Sequence, residues 1–421
     1  MEKNRRQFLK GLALTYASLY VSPYILGVNQ NLYANTHRDD NLKEFPINFS
    51  NLGPLQEADK NGVCLPNGFE ANIIAQSGKP FDSGYSWHGS PDGGATFSHE
   101  DGGWIYLSNS ELPNNKGGVG AIRFSKSGEI IDAYSVLEGS NRNCSGGKTP
   151  WGTWLSGEEH PGGVIWEVSP NKEDDNFPIE REALGIFQHE AVAVDPNTNY
   201  IYMTNDEEGG LFYRFRPGGK PNSEEFYLKG VLEVAKLTSS KDILWIKVPD
   251  PLAKEIPITE QMPLATRFNR GEGMAYFNGT IFFATTGDHK VWAYDTRFNK
   301  LRVYYDGNIT EKNHNIKNWL SSWKNNRKIK PLRDPDDLTV DHLGHPIVAE
   351  DSDNMELCII DSTGKAKPIL RIDGHWFSEV TGPAFSPDGT RLYFSSQRGK
   401  TGSRTSGGIT FEIKRKKEFT H

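Results

Sequence analysis

The sequence predicts an all-β fold, and three observations support this prediction. Short β-prone runs rich in Val, Ile, Tyr and Trp recur along most of the 421 residues, with Gly, Asn, Asp or Pro turns between them. The 43 glycines and 10 tryptophans are typical of a turn-rich protein with an aromatic core. Helical periodicity is nearly absent, and only residues 310–330 could form a helix or a long loop.

One sequence unit occurs six times. Each copy is a β-prone run, a polar or acidic cluster, a turn and a second β-prone run; the copies begin at Gly103, Trp151, Asn199, Gly279, His345 and Thr390. Four copies follow an earlier strand and a tight turn, in residues 190–199, 272–279, 336–344 and 381–389. Six such units predict a six-bladed β-propeller in which each copy forms the middle two strands of a blade.

The predicted blades bring acidic residues to one end of the central channel. A blade's first strand lines the channel and its second strand is antiparallel to it, so the start of the first and the end of the second lie together. The residues at these starts are His189, Glu190, Arg270, Glu272, Asp336, Asp337 and Glu379. The residues at these ends are Glu111, Glu158, Glu159, Asp206, Glu207, Asp288, Glu350, Asp351, Gln397 and Arg398.

Crowded carboxylates either have raised pKa values or bind cations between them. Oxygen-rich clusters suit Ca²⁺, and clusters that also contain nitrogen or thiolate suit iron. The pattern therefore predicts a metal site at this end of the channel. Two alternatives remain open: each acid is a solvated loop residue, or a purely structural calcium fastens the blades together.

The first 34 residues are expected to be a signal and N-terminal segment, and residues 35–421 a single propeller. Arg5 and Arg6, followed by Phe-Leu-Lys and an apolar run, are the order of a twin-arginine export signal. Two serines and Pro23 interrupt the apolar run, which argues against a stable transmembrane span, although a basic start before a membrane anchor is the alternative. The twin-arginine machinery exports folded proteins, so we expect a periplasmic or secreted protein.

Charge and cysteine content exclude other classes of function. The net charge is −7 and no basic stripe occurs, which argues against a nucleic-acid partner. Cys64, Cys144 and Cys358 are widely separated and match neither a disulfide framework nor a cysteine metal motif.

Several segments resemble the PhoX-type alkaline phosphatases: "NCSGGKTPWGTWLSGEEH", "HEAVAVDPNTNYIYMTNDEEGGLFYRFRP", "RGEGMAY", "PDDLTVD" and "EVTGPAFSPDGTRLYFSSQRG". The resemblance runs in order from about Gly103 to the C-terminus. It implies a six-bladed propeller that holds calcium and iron at the channel mouth and hydrolyses phosphate monoesters there. It also implies that the acidic metal-ligand positions of the family are occupied here by Glu111, Glu158, Glu159, Glu190 and Glu272.

One position departs from the family pattern. Where the phosphatases have Thr-Cys-Glu-Glu, with the cysteine as an iron ligand, this chain has Ser156, Gly157, Glu158 and Glu159. Cys144 matches a family cysteine outside that position and is not expected to replace it. The departure predicts calcium bound through oxygen and a site poor in Fe³⁺.

The leading hypothesis is an exported, metal-dependent hydrolase of small phosphate esters. His189 is expected to be a ligand or a proton donor to the leaving group, with a hydrogen-bonded structural role as the alternative. Arg398 is expected to hold the phosphate, because it is a cation in an acidic setting. The rival hypotheses are a calcium-dependent lactonase or phosphotriesterase and a non-catalytic, calcium-stabilised binding propeller.

Overall fold

Six antiparallel sheets make up the protein, whose structure, a computed structural model, describes residues 46–50, 52–221, 223–308, 332–351 and 354–416. The predicted signal segment 1–34 and the possible helix at 310–330 lie outside the described residues. Two N-terminal strands come first, β1 (Val63–Cys64) and β2 (Phe69–Gln76). They join blades formed by the end of the chain.

The first three blades follow in chain order. Blade 1 contains β3 (Pro91–Ser98), β4 (Trp104–Ser110), β5 (Gly117–Phe124) and β6 (Ile130–Ser140). Blade 2 contains β7 (Asn143–Lys148), β8 (Trp154–Glu158), β9 (Ile165–Val168) and β10 (Ile179–Glu180). Blade 3 contains β11 (Val192–Val194), β12 (Ile201–Met203), β13 (Tyr213–Arg216), β14 (Val231–Leu237) and β15 (Ile243–Lys247).

The last three blades complete the ring. Blade 4 contains β16 (Gly271–Phe277), β17 (Thr280–Thr285), β18 (Lys290–Asp295) and β19 (Lys300–Asp306). Blade 5 contains β20 (Pro335–Val340), β21 (Pro346–Glu350), β22 (Glu356–Ile360) and β23 (Ala366–Ile372), with β1 at its outer edge. Blade 6 contains β24 (Val380–Phe385), β25 (Arg391–Ser396) and β26 (Ile409–Arg415), with β2 as its outer strand.

The predicted six-bladed propeller is confirmed, and each of the six repeats forms the middle two strands of its blade. The first strands β3, β7, β11, β16, β20 and β24 neighbour one another in a ring around the channel. The sequence did not predict how the ring closes: β2 pairs with β26, from Phe69 opposite Arg415 to Gln76 opposite Ile409.

Helices are short and few in the described part of the chain. The α-helices are Glu224–Leu228 and Ile258–Gln261, and the 3₁₀ helices are Glu182–Leu184 and Thr286–Asp288. None of the helices among the described residues has the length and apolar character needed to cross a bilayer.

The core lies between the blades, because alternate residues of a strand face opposite neighbours. In β4, which is buried along its whole length, Ile105 and Leu107 pack in a cluster with Trp154 of blade 2. Tyr106 faces the other way and stacks on Tyr393 of blade 6 at a centroid distance of 4.9 Å. Burial of both faces explains why the middle strands are apolar and aromatic throughout.

Candidate metal centre

The first strands of five blades contain a β-bulge near their start. The pairing register shifts between Pro91 and Gly94, Asn143 and Gly146, Gly271 and Met274, Pro335 and Leu338, and Thr381 and Ala384. In each shift, two residues of the first strand have no paired residue in the second strand. The bulge changes the direction in which their side chains point. Blade 3 has no such shift in its short ladder, and its Glu190 lies two residues before β11.

The bulges make one residue per blade equivalent. The first unpaired residue is Asp92 in blade 1, Cys144 in blade 2, Glu272 in blade 4 and Asp336 in blade 5. In blade 6 the shift comes one residue later, so Thr381 has the equivalent position and Gly382 lies beside Gly93. With Glu190 of blade 3, five of the six blades therefore place a carboxyl or a thiol at the start of the channel-lining strand. Glu190, Glu272 and Asp336 were predicted as ligands from the sequence, whereas Asp92 and Cys144 were not.

Glycines next to the bulged residues let the first strands approach closely. A Cβ atom at Gly93 would lie 2.6 Å from Cα of Ser145, and one at Gly273 would lie 2.5 Å from Cα of Asp337. A side chain at Gly382 would collide with the carbonyl oxygen of Asp92. Only glycine permits these contacts between neighbouring blades. The close approach at Gly93, Gly273 and Gly382 forms a constriction of the channel, which brings the acidic residues together.

Glu190, Glu272 and Asp336 form the first group of potential ligands. One carboxylate oxygen from each lies within 4.8 Å of the others. Burial, followed by the neighbouring carboxylates, raises the pKa of each well above its usual range. Oε1 of Glu190 has no hydrogen-bond partner within the described part of the chain. A buried carboxylate oxygen without a donor fits a hard cation.

Cys144, Glu159 and Glu190 form the second group, again with ligand atoms within 4.8 Å of one another. Burial and then Glu111 raise the pKa of Glu159 to about 8, and burial raises that of the Cys144 thiol well above its usual range. Both groups contain Glu190, so they are adjacent. Cys144 was not expected to replace the family's cysteine ligand, yet the bulge in β7 brings its thiol near these carboxylates.

The structure also corrects the role expected of position 157. A Cβ atom at Gly157 would lie 2.9 Å from the carbonyl oxygen of Glu190 and 3.1 Å from Cβ of His189. The segment that leads into blade 3 therefore fills the space of a side chain here. A thiol at position 157 would collide with the backbone of Glu190. The thiol that lies near the carboxylates is that of Cys144.

Glu158 and Asp206, two other predicted ligands, have partners within the protein. Glu158 accepts hydrogen bonds from the backbone N–H groups of Asn141 (2.8 Å) and Val164 (3.3 Å), which fixes two loops. Asp206 accepts two bonds from Arg270, 2.7 Å from Nε and 3.1 Å from Nη2. Glu207 is half-buried beside Asp206, and burial raises its pKa.

Asp337 and Asp92 are buried near the constriction. Oδ2 of Asp337 accepts a hydrogen bond from the backbone N–H of Gly382 at 2.9 Å. Oδ2 of Asp92 accepts one from Nε2 of Gln397 at 2.5 Å. Burial, then Asp337, raises the pKa of Asp92 well above its usual range. These two acids connect blades 1, 5 and 6 at the base of the site.

Cations border the acidic cluster on the side of blade 6. Nη2 of Arg398 donates to Glu379 at 2.8 Å, while its buried Nε has no hydrogen-bond partner among the described residues. Nη1 of Arg404 lies 3.3 Å from both oxygens of Glu111. The predicted ligands Glu379 and Glu111 are thus ion-paired, and the arginines face an acidic site.

His189 is held by ring packing and one hydrogen bond, while its Nδ1 has no hydrogen-bond partner among the described residues. It is fully buried, its ring lies 3.7 Å from that of Phe187, and its Nε2 is 3.0 Å from the carbonyl oxygen of Gly185. Burial lowers its pKa to about 3, so the ring is neutral and Nε2 donates to Gly185. These contacts favour the structural alternative over a proton donor.

A cavity of about 500 Å³ occupies the channel beyond the constriction. Residues from all six first strands line it, and Asp337 is the one carboxylate among them. The acidic chemistry is therefore confined to the end where the first strands begin.

Comparison with known proteins agrees with this geometry. The family model described as alkaline phosphatase PhoX matches residues 117–164 and 160–399. The structure of Pseudomonas fluorescens PhoX in complex with vanadate, described as a transition state analogue, superposes with a TM-score of 0.68. The two chains are 17% identical, and the match covers 89% of this chain and 98% of the other.

Other propellers are less similar. A gluconolactonase from Xanthomonas campestris has a TM-score of 0.47 and 12% identity, covering 87% of this chain and 98% of that one. No curated protein sequence matches this chain significantly. At these identities, the solved structures establish the fold alone.

Proposed function

Because the chain belongs to the alkaline phosphatase PhoX family, we propose that it is a metal-dependent hydrolase of phosphate monoesters. Its reaction takes place at the acidic end of the channel. The observation that carries the proposal is the start of the channel-lining strands, where acids and one thiol from five blades meet. Family membership fits a metal cofactor, and Oε1 of Glu190, which has no hydrogen-bond partner in the ranges that the structure describes, supports one.

The two ligand groups suit different ions. Glu190, Glu272 and Asp336 offer only oxygen and would hold Ca²⁺. Cys144, Glu159 and Glu190 add a thiolate and would suit iron. When bound, such cations neutralise the phosphoryl charge and lower the pKa of a bound water.

The protein's own residues orient the substrate. Arg398 and Arg404 would supply positive charge to a phosphate that enters the acidic site. A guanidinium can donate two parallel hydrogen bonds to phosphate oxygens. Asp206 holds Arg270 beside Glu272, since Nη2 of Arg270 is 3.4 Å from Oε1 of Glu272. His189 supports the segment that carries Glu190 and takes no part in proton transfer.

Export is the second part of the proposal. The Arg5–Arg6 motif supports passage through the twin-arginine machinery after metal loading in the cytoplasm, and a periplasmic or secreted location. Replacing both arginines by lysine should keep the protein in the cytoplasm of a host with that machinery. Unchanged export would refute this part.

The function is tested by elemental analysis of the purified protein and by hydrolysis of a phosphomonoester, a phosphodiester and a lactone. We expect bound metal and a preference for the monoester. Preference for the lactone or the diester would favour the rival hydrolases. Metal without turnover of any substrate would favour a binding propeller.

A further inference from the structure

We infer that Trp376 and Phe377 form a platform for the organic part of the substrate, and that the enzyme prefers phosphate esters of aromatic or other planar alcohols. The inference rests on the proposed function and specifies its substrate class. It comes from a pair of exposed aromatic side chains at the acidic end of the channel.

The exposure of the pair is unusual for side chains of this size. Trp376 is 79% exposed and Phe377 73% exposed, although they are adjacent in sequence. Single exposed apolar residues are ordinary on protein surfaces, whereas contiguous ones mark interaction sites. Phe298 is similarly exposed (70%), but it lies in the turn between β18 and β19, at the opposite end of the propeller.

The connection from blade 5 to blade 6 places the pair next to the site. It runs from β23, at the periphery, to β24, at the channel, and so crosses the end where the first strands begin. Phe377 precedes Glu379 by two residues, which limits their separation along the chain to about 7 Å. Glu379 is the partner of Arg398, the candidate phosphate-binding residue.

Hydrogen bonds hold the connection on both sides of the pair. Before it, Nδ1 of His375 lies 2.8 Å from Oγ of Ser396. After it, Oγ of Ser378 lies 2.9 Å from the same Ser396 oxygen and accepts a bond from the backbone N–H of Arg398, also at 2.9 Å. A platform that is fixed before binding loses little entropy when the substrate arrives.

The charges beside the pair match an aryl phosphate. The loop after β25 contains Arg398, Lys400 and Arg404. This loop contacts Phe377, since a Cβ atom at Gly402 would lie 2.9 Å from Cβ of Phe377. An ester whose phosphate is held by the arginines would therefore lie next to the segment that carries the two aromatic rings. Aromatic rings stack on such surfaces.

The test compares benzyl phosphate with butyl phosphate, which both release primary alcohols but differ in the ring. The enzymes are the metal-loaded wild type, Trp376→Ala, Phe377→Ala, the double variant and, as control, Phe298→Ala. We expect the wild type to prefer the benzyl ester. The double variant should lose about 3- to 10-fold of that preference in kcat/KM, mainly through KM. Phe298→Ala should keep the preference.

An unchanged ratio of benzyl to butyl kcat/KM in the double variant would overturn the platform while leaving the phosphatase function intact. If the wild type hydrolyses neither ester, the proposed function fails. The platform is then judged by calorimetry with phenylphosphonate and methylphosphonate. Tighter binding of the phenyl compound that disappears in the double variant would support it, and equal binding of both by the wild type would overturn it.

Discussion

Glu190 and Glu272 come from neighbouring blades, yet one carboxylate oxygen of each lies within 4.8 Å of the other and of an oxygen of Asp336. Three acids at this separation, of which two are buried and Asp336 is half-buried, repel one another when ionised. The fold therefore keeps a local arrangement that is unfavourable without a cation or bound protons.

Replacing either glutamate should weaken metal binding. We expect Glu190→Gln and Glu272→Gln each to reduce metal affinity by at least about 10- to 100-fold, because a carboxylate ligand is lost from a buried site. Asp175→Asn is the matched control, since Asp175 is exposed in a loop of blade 2. Metal content and phosphomonoesterase rate measure the effect. Equal values for all three variants would show that the acidic cluster binds no metal.

Removing the metal should destabilise the protein. A ligand present at one hundred times its Kd contributes about 2.7 kcal/mol per site to the free energy of unfolding, provided that it binds only the folded state. A chelator should therefore lower the Tm, and added Ca²⁺ should restore it. Calorimetry of the same preparation before and after dialysis provides the measurement. The same Tm in both would argue against a metal that couples blades.

Replacing Cys144 should change the iron content, whereas replacing Gly157 should change the stability. Cys144→Ser should lower iron content, because it removes a thiolate from the second ligand group, and should change the Tm of the metal-free protein little. Gly157→Cys should lower stability by about 1–3 kcal/mol, because the new side chain meets the backbone of Glu190, and should bind no additional iron. Iron analysis, visible absorption and melting curves distinguish the two. A rise in iron in Gly157→Cys would mean that the backbone moves aside.

Glu356 should make stability depend on pH. It lies in β22, and burial, then Glu350, raises its pKa to about 8. A carboxyl whose folded-state pKa exceeds its unfolded value stabilises the folded state at low pH, and this contribution is lost as the pH rises from about 4.5 through 8. The Tm of the wild type should thus fall more between pH 5 and pH 9 than that of Glu356→Gln, measured in saturating Ca²⁺. Exposed Glu173→Gln is the control and should follow the wild type.

The sequence by itself determined the fold and part of the composition of the site. Six repeats with alternating β-prone runs and turns require six similar sheets, and the position of acids at strand starts and ends requires that they meet at one end of the channel. These are consequences of local periodicity and strand polarity, which a single sequence contains. Glu190, Glu272 and Asp336 could therefore be predicted as neighbours before any coordinates were known.

Only the tertiary structure decided which side chains face one another. The bulges that aim Asp92 and Cys144 into the channel depend on close contact between blades at Gly93 and Gly382, and such contacts join residues far apart in the chain. Packing between distant segments also shows that Gly157 lies against the backbone of Glu190. Pairing of β2 with β26 likewise joins the two ends of the chain. Because these relationships arise from packing between distant segments, no local pattern in the sequence encodes them.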